Sequence, residues 1–206
     1  MNAAWVVDAN NPNGGYWDEF GTQVDLSDYA LKSDIQAIAL NEVQRILYSG
    51  SSAVVADKAS LEAMIANDEP EVEITLNKNI AVTTPIVIPE GKKVVLDLGG
   101  KTLSGQIPIQ GTGGEIVLKN GTISSTSDAV YLTEGSKCTL DGAVINSNHN
   151  GISAWSGSEV VVNSGSITSQ ECGVAGFKNS TITINGGTIT GLDNGPIMGN
   201  GSAPGT

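Results

Sequence analysis

The chain has 206 residues, with 26 glycines and only 4% aromatic residues, and its 22 acidic residues against 10 basic give a net charge of −12. This balance excludes nucleic-acid binding through phosphate contacts and disfavours docking on acidic membranes. The first 24 residues lack the basic start and apolar segment of a signal peptide, and no apolar run reaches the roughly 18 residues that span a bilayer.

The first 25 residues are rich in asparagine and glycine and show no hydrophobic periodicity. Their large aromatic residues are Trp5, Tyr16, Trp17 and Phe20. Aromatic side chains dominate the energetics of protein interfaces, so we interpret residues 1–25 as an extended peptide that anchors the chain to a partner protein. A disordered tail is the alternative.

Residues 26–50 predict a short helix. Ser33 and Gln36 form a capping box, and Gly50 marks the end. The residues of its apolar stripe are Ile35, Ile38, Ala39, Val43 and Ile46. A helix of about 15 residues is marginal alone, so the stripe must be covered. Self-association covers it in one interpretation, and packing against the rest of the same chain covers it in the other.

A repeat begins near residue 94, in which apolar–x–apolar is followed after four residues by another apolar residue. Its members are Leu96-x-Leu98 with Leu103, Ile116-x-Leu118 with Ile123, Cys138-x-Leu140 with Ile145, Val160-x-Val162 with Ile167, and Ile182-x-Ile184 with Ile189. The second anchors are 20, 22, 22 and 22 residues apart, and Ala129, Gly151, Gly173 and Gly195 keep the step of 22. Such a period with alternating strands is typical of a β-solenoid.

Period-two alternation predicts which side chains form the core. The anchors point inward, and Asp97, Val117, Thr139, Val161 and Thr183 point outward between them. Asn163 and Asn185 are expected to stack at a turn, because asparagine tolerates left-handed backbone and its amides form ladders. Cys138 falls in the core and Cys172 in a turn, which argues against a disulfide and suits a reducing cytosol.

The ends of the solenoid need covering, since terminal rungs expose core and unpaired backbone. A helix at 60–67, capped by Ser60, is the predicted N-terminal cap of the domain 51–206, and Val72–Leu76 is the predicted first strand. At the other end, residue 206 falls one period after Ile184, where a strand should start. We therefore expect the β-helix to be incomplete at its C-terminal end.

Two columns of the repeat carry candidate chemistry. His149 shares one with Ser127, Glu171 and Asp193, which suggests a metal site or an acid–base pair acting on a glycan. A solvated turn is the favoured interpretation, because no arginine or lysine joins the column.

Trp155 and Phe177 are one period apart and face outward, so they are expected to contact a glycan or, more in keeping with exposed aromatics, another subunit. No nucleotide-binding, catalytic-elbow or metal-ligand motif is present, and we expect no cofactor and no metal.

Two segments resemble known families. Residues 26–35, LSDYALKSDI, resemble a linking motif of tailed-phage fibre proteins that precedes a trimeric helix. Residues 87–103, VIPEGKKVVLDLGGKTL, are similar to the opening rung of pectate-lyase-like right-handed β-helices. The chain as a whole resembles head fibre proteins of tailed phages. No calcium-binding aspartate cluster with a catalytic arginine is found, so lyase activity is not implied.

The resemblance implies a mainly β protein: a right-handed parallel β-helix with rungs of 20–22 residues, preceded by a trimerising helix and an anchor. It also implies a homotrimer on the virion surface, made in the host cytoplasm, bound to a capsid or other virion protein through residues 1–25. Weak attachment to host-surface or mucus glycans would be its non-enzymatic function. The alternatives are a tailspike-like depolymerase, a receptor-binding tail protein and a bacterial adhesin, the last disfavoured by the missing secretion signal.

Overall fold

A computed structural model describes residues 4–7, 15–18 and 51–199. The chain divides into two units, residues 1–47 and 48–206. In the first, β1 (Ala4–Val7) and β2 (Gly15–Asp18) pair antiparallel, with Trp5 opposite Trp17 and Val6 opposite Tyr16. Phe20 and the helix predicted over 26–50 lie outside the described residues, so the anchor and trimerisation assignments stay predictions.

The second unit opens with β3 (Ser52–Val55) and α1 (Lys58–Ile65). The helix begins two residues before the predicted start at Ser60, and Ser60 is not its cap. Asp57 is the N-cap, with extended backbone, and its carboxylate accepts a hydrogen bond from the Ser60 N–H at 2.8 Å. This bond lowers the pKa of Asp57. The helix buries Leu61, Met64 and Ile65 in the core, where it contacts β3, β4 and β6.

The rest of the unit is a coil of parallel strands. These are β4 (Glu71–Leu76), β5 (Ile80–Ala81), β6 (Ile86–Pro89), β7 (Lys93–Asp97), β8 (Thr102–Gly105), β9 (Ile109–Thr112), β10 (Glu115–Lys119), β11 (Thr122–Ser125), β12 (Val130–Thr133), β13 (Lys137–Ser147), β14 (Ile152–Ala154), β15 (Glu159–Ser169), β16 (Val174–Gly176), β17 (Thr181–Ile184), β18 (Thr188–Gly191) and β19 (Ile197–Gly199). Their pairing makes about seven turns, with a corner inside β13 and β15.

Stacked aliphatic residues form one continuous core. Four inward columns run along it: Val72, Val94, Ile116, Cys138, Val160 and Ile182; Ile74, Leu96, Leu118, Leu140, Val162 and Ile184; Leu103, Ile123, Ile145, Ile167 and Ile189; and Ile86, Ile109, Val130, Ile152, Val174 and Ile197. Nearly all are fully buried before the last rung. The predicted inward anchors are therefore confirmed from Ile116 through Ile167.

The predicted alignment of the first repeat is wrong. Leu96, and not Leu98, lies opposite Leu118, so the step along this column is 22 throughout. Leu98 is also buried, but at the turn. Two extra residues, Gly99–Gly100, stand in that turn with positive φ of 56° and 72°. Because alternation has a period of two, a shift of two residues keeps the same inward face and hides the error.

Two further alignments differ. Val95 lies opposite Val117, whereas Asp97 lies opposite Lys119. The glycine column stops at Gly173, since Val174 pairs with Ile197, a step of 23. Pro196 therefore replaces Gly195 in the stack, its carbonyl oxygen lying 2.5 Å from where a Cβ of Gly173 would be.

The predicted asparagine stack at the turn is present, but its asparagines do not have the left-handed backbone that the prediction expected of them. The Asn185 amide donates to Asn163 Oδ1 at 2.8 Å. The left-handed residues of these two turns are Gly165 and Gly187, with φ of 98° and 87°. Glycine takes the bend because it has no Cβ penalty there, and asparagine supplies only the ladder.

Candidate functional site

The turn between β13 and β14 holds the only histidine of the chain against a carboxylate of the preceding rung. The His149 Nδ1 and Asp128 Oδ1 are in hydrogen-bond contact. A carboxylate only accepts, so Nδ1 is the donor in this contact. The His149 side chain is 53% exposed and that of Asp128 is 11% exposed. The imidazole is thus oriented by a nearly buried carboxylate, while about half of the imidazole itself is exposed.

The same turn is fastened by a ladder from side chain to backbone. Asp128 Oδ1 accepts from the Asn150 N–H at 3.1 Å, and Asn150 Oδ1 accepts from the Cys172 N–H at 3.2 Å. The Asn150 amide also donates to Ser153 Oγ at 3.1 Å. Asp128 and Asn150 therefore satisfy buried backbone donors, and orienting His149 is a second role of Asp128.

The predicted set of His149, Glu171 and Asp193 is not assembled. Glu171 accepts from the Asn194 amide, and Asp193 accepts from the Gln170 amide at 3.0 Å. Each candidate carboxylate thus has a neutral partner of its own, and His149 contacts Asp128 of the preceding rung instead.

Sequence reasoning missed Asp128, which lies one position away from the His149 column. Column alignment predicts neighbours at the same position of successive rungs and not contacts that run diagonally between positions. The available signal was a histidine 21 residues after an aspartate, which is one residue short of a full period.

The predicted aromatic pair is brought together. The rings of Trp155 and Phe177 stack with centroids 4.2 Å apart and an interplanar angle of 22°, and both residues are half-buried. Lys178 Nζ lies 5.8 Å from the Trp155 ring centroid, within cation–π range. Trp155 Nε1 is buried and has no hydrogen-bond partner among the described residues.

The turn after each aromatic ring fixes its position. Ser156 and Lys178 follow the rings with φ of 54° and 50°, which non-glycine residues adopt rarely. Ser158 Oγ donates to the Trp155 carbonyl at 2.6 Å, and Ser180 Oγ bonds the Phe177 carbonyl in the same way. The two corners are built alike, so the rings are held in register one rung apart.

A column of alternating charge, which the sequence interpretation did not identify, runs up the outer face beside the first inward column. Its members are Glu71, Lys93, Glu115, Lys137 and Glu159. Two ion pairs form in this column: Lys93 Nζ lies 2.7 Å from Glu71 Oε1, and Lys137 Nζ lies 3.4 Å from Glu159 Oε2. The hydrogen bond that the Lys93 ammonium donates to Glu71 raises the pKa of Lys93. Exposed pairs contribute little to stability, so the free energy that this ionic ladder adds is small.

Neither thiol is arranged for chemistry. Cys138 and Cys172 are buried and unpaired. Burial raises the pKa of Cys138 to about 12 and also raises that of Cys172. A thiol with a raised pKa is a poor nucleophile, because the thiolate is the reactive form. Within the described ranges, no group of three or more His, Cys, Asp or Glu residues is placed to hold a metal ion, and no helix is long and apolar enough to cross a membrane.

Comparison with known proteins bears on the fold. Residues 106–203 match the family model described as right handed beta helix region. No curated protein and no solved structure matches the chain. The matched segment contains β9 to β19, whose strands stack in parallel with a period near 22 residues. The second unit is therefore a right-handed parallel β-helix.

Proposed function

We propose that the chain is a non-enzymatic structural protein of a tailed-phage virion, a trimeric fibre or capsid decoration that attaches weakly to glycans. Residues 1–25 hold it to a capsid or other virion protein, residues 26–50 join three copies, and the β-helix projects outward. Many copies per particle offset the low affinity of one site through avidity.

The observation that supports attachment is the Trp155–Phe177 stack. Two rings held 4.2 Å apart by a rigid β-helix present a half-exposed apolar surface, with the Lys178 ammonium beside it. Sugar rings pack their C–H faces on such surfaces, and hydroxyls or an acidic group can meet the ammonium. Preorganisation by the two corners lowers the entropic cost of binding.

The test separates assembly from attachment. The full chain is expected to be a trimer by light scattering, and a chain lacking residues 1–25 is expected to stay trimeric but to be lost from particles. Trp155→Ala is expected to reduce binding to host-surface glycans without changing the trimer. A monomeric full-length protein, or normal incorporation of the truncated chain, would falsify the proposal.

One contact favours an alternative function, a polysaccharide depolymerase. The Asp128–His149 pair resembles the carboxylate–imidazole arrangement of a general base, and the imidazole is about half exposed. Incubation with capsular or pectic polysaccharides, followed by assay of reducing ends and unsaturated products, distinguishes the two functions. Product formation that is abolished in His149→Ala would support the enzyme.

A further inference from the structure

One side of the β-helix carries two columns of uncharged outward side chains, on β8, β11, β18 and the second halves of β13 and β15. One column is Thr102, Thr122, Val144, Ser166 and Thr188; the other is Ser104, Ser124, Asn146, Thr168 and Thr190. We call these ten residues the hydroxyl face. Eight of the ten carry exposed or half-exposed hydroxyls, and they alternate with the inward column from Leu103 to Ile189.

The hydroxyls of this face are not used by the fold. Within residues 51–199, none of its nine polar side chains makes a hydrogen bond to another residue. Inward or corner hydroxyls behave differently. Ser125 donates to the Gln106 carbonyl at 2.7 Å, and Ser136 donates to the Thr133 carbonyl at 2.5 Å. The face therefore offers a set of donors and acceptors that only an external partner or water can satisfy.

The spacing of the face is regular and its side chains are stiff. Successive rungs are ~4.8 Å apart, and the two columns are separated by two residues of strand, ~6.7 Å. Five of the ten residues are threonine and one is valine, whose branched Cβ restricts χ1. Hydroxyls fixed in such an array lose little side-chain entropy on binding a partner with its own repeat.

Charge selects the class of partner. The face holds no charged residue, whereas the ionic ladder on the adjoining side places Lys93, Glu115, Lys137 and Glu159 at successive rungs. A neutral polyol can displace water here without leaving a charge unsolvated. The net charge of −12 repels acidic polymers. Protein partners are disfavoured because the face offers no aromatic, methionine or arginine anchor.

We propose that the hydroxyl face is a binding site for a neutral, hydroxyl-rich polysaccharide lying along its columns. This rests on the proposed glycan attachment, and it adds a second face and a ligand class. Each contact is weak, and affinity comes from repetition along one chain and over several copies. The aromatic stack lies after β14 and β16, on a different sheet, so the two sites can be tested separately.

The experiment measures retention of the full-length chain on a neutral mannan and a neutral β-glucan, with polygalacturonate as the acidic comparison. Thr168→Asp places a charge on the hydroxyl face. Thr183→Asp is the matched control, because Thr183 is also an exposed, outward strand threonine but lies on the ladder side. We expect about tenfold weaker binding to a neutral glycan for Thr168→Asp and unchanged binding for Thr183→Asp.

Conservative variants test the hydroxyl itself. Thr168→Ser keeps the group and should bind like the parent, whereas Thr168→Val keeps the shape and should bind more weakly. Thermal melting checks that all variants are folded.

Five outcomes would overturn the proposal. Equal loss in both aspartate variants would show a general charge effect. A change of oligomeric state in Thr168→Asp alone would make the face a contact between copies. Binding lost only in Trp155→Ala would leave the proposed attachment standing without this face. Binding to polygalacturonate alone, or to no glycan tested, would refute the neutral-glycan assignment, and the second result would also refute glycan attachment.

Discussion

Replacing Lys92 by methionine should destabilise the β-helix near its N-terminal end. Lys92 is 7% exposed, and its ammonium donates to the Asn67 carbonyl at 3.0 Å, to Asn67 Oδ1 at 2.8 Å and to the Glu69 carbonyl. These bonds join the turn after α1 to the start of β7. Methionine keeps the apolar stem but removes the donor of all three bonds.

The magnitude follows from the surroundings. A hydrogen bond from a charged donor contributes about 1.5–3 kcal/mol. Burial lowers the pKa of Lys92, so part of this gain is offset by desolvation of the ammonium. Asn67 is half-buried and Glu69 exposed, so water replaces some of the lost bonds. We expect a net loss of about 2–3 kcal/mol, or a fall in Tm of roughly 5–10 °C for a unit of this size.

Urea and thermal unfolding of the second unit's strands, followed by circular dichroism, measure this effect. Lys101→Met is the matched control, because the Lys101 ammonium has no ion-pair or hydrogen-bond partner in the described part of the chain. If Lys92→Met unfolds within about 0.5 kcal/mol of the parent, the three bonds are not stabilising and the reasoning fails.

Three further outcomes are expected. Asp57→Ala should lower the free energy of unfolding by about 1 kcal/mol at neutral pH. Because the pKa of Asp57 is lowered in the folded state, this contribution is present above the unfolded value of 3.8 and is lost as the pH falls through the folded value. A difference between the variant and the parent that persists in urea melts at pH 2 would contradict this prediction. Trp155→Phe should lower the free energy of unfolding by less than about 1 kcal/mol, because it removes a buried unpartnered N–H but keeps the stack on Phe177. Trp155→Ala should lower it by about 3 kcal/mol or more. Equal melting temperatures for the two variants would show that the stack does not stabilise the fold. Cys138 should resist iodoacetamide until urea unfolds the chain, as mass spectrometry of labelled protein will show, and rapid labelling of the native protein would mean that the thiol is not buried.

The inward columns could be predicted from sequence because a strand has a period of two and the core is aliphatic. Ile116, Leu118 and Ile123 were assigned to the core by spacing alone, and all three are buried. The register of the first repeat could not be settled this way. The two residues Gly99–Gly100 lengthen one turn, and hydrophobic alternation is blind to a shift of two.

The candidate sites also differ in whether the spacing of the repeat predicts them. The stack of Trp155 on Phe177 follows from a whole period of 22 residues, so alignment predicts it. The contact of His149 with Asp128 joins different positions of adjacent rungs and depends on where a side chain turns. The cap at Asp57 was missed because Ser60, three residues later, is an equally good capping residue by type.

The order of elements around the coil links the proposed sites. From the hydroxyl face, β13 ends at Ser147 and the chain turns through His149 before β14, whose end leads directly to Trp155. The oriented imidazole therefore stands at the corner between the hydroxyl face and the sheet that ends at the aromatic stack. In the proposed attachment, a glycan lying along the hydroxyl face passes beside this corner and meets the imidazole of His149, which is 53% exposed. Attachment requires only a hydrogen bond, whereas cleavage by general acid–base catalysis also requires a proton donor. Both predicted carboxylates instead accept from amides of neighbouring rungs, Glu171 from Asn194 and Asp193 from Gln170. The geometry of the corner therefore supports the proposed attachment more than the alternative proposal of a depolymerase.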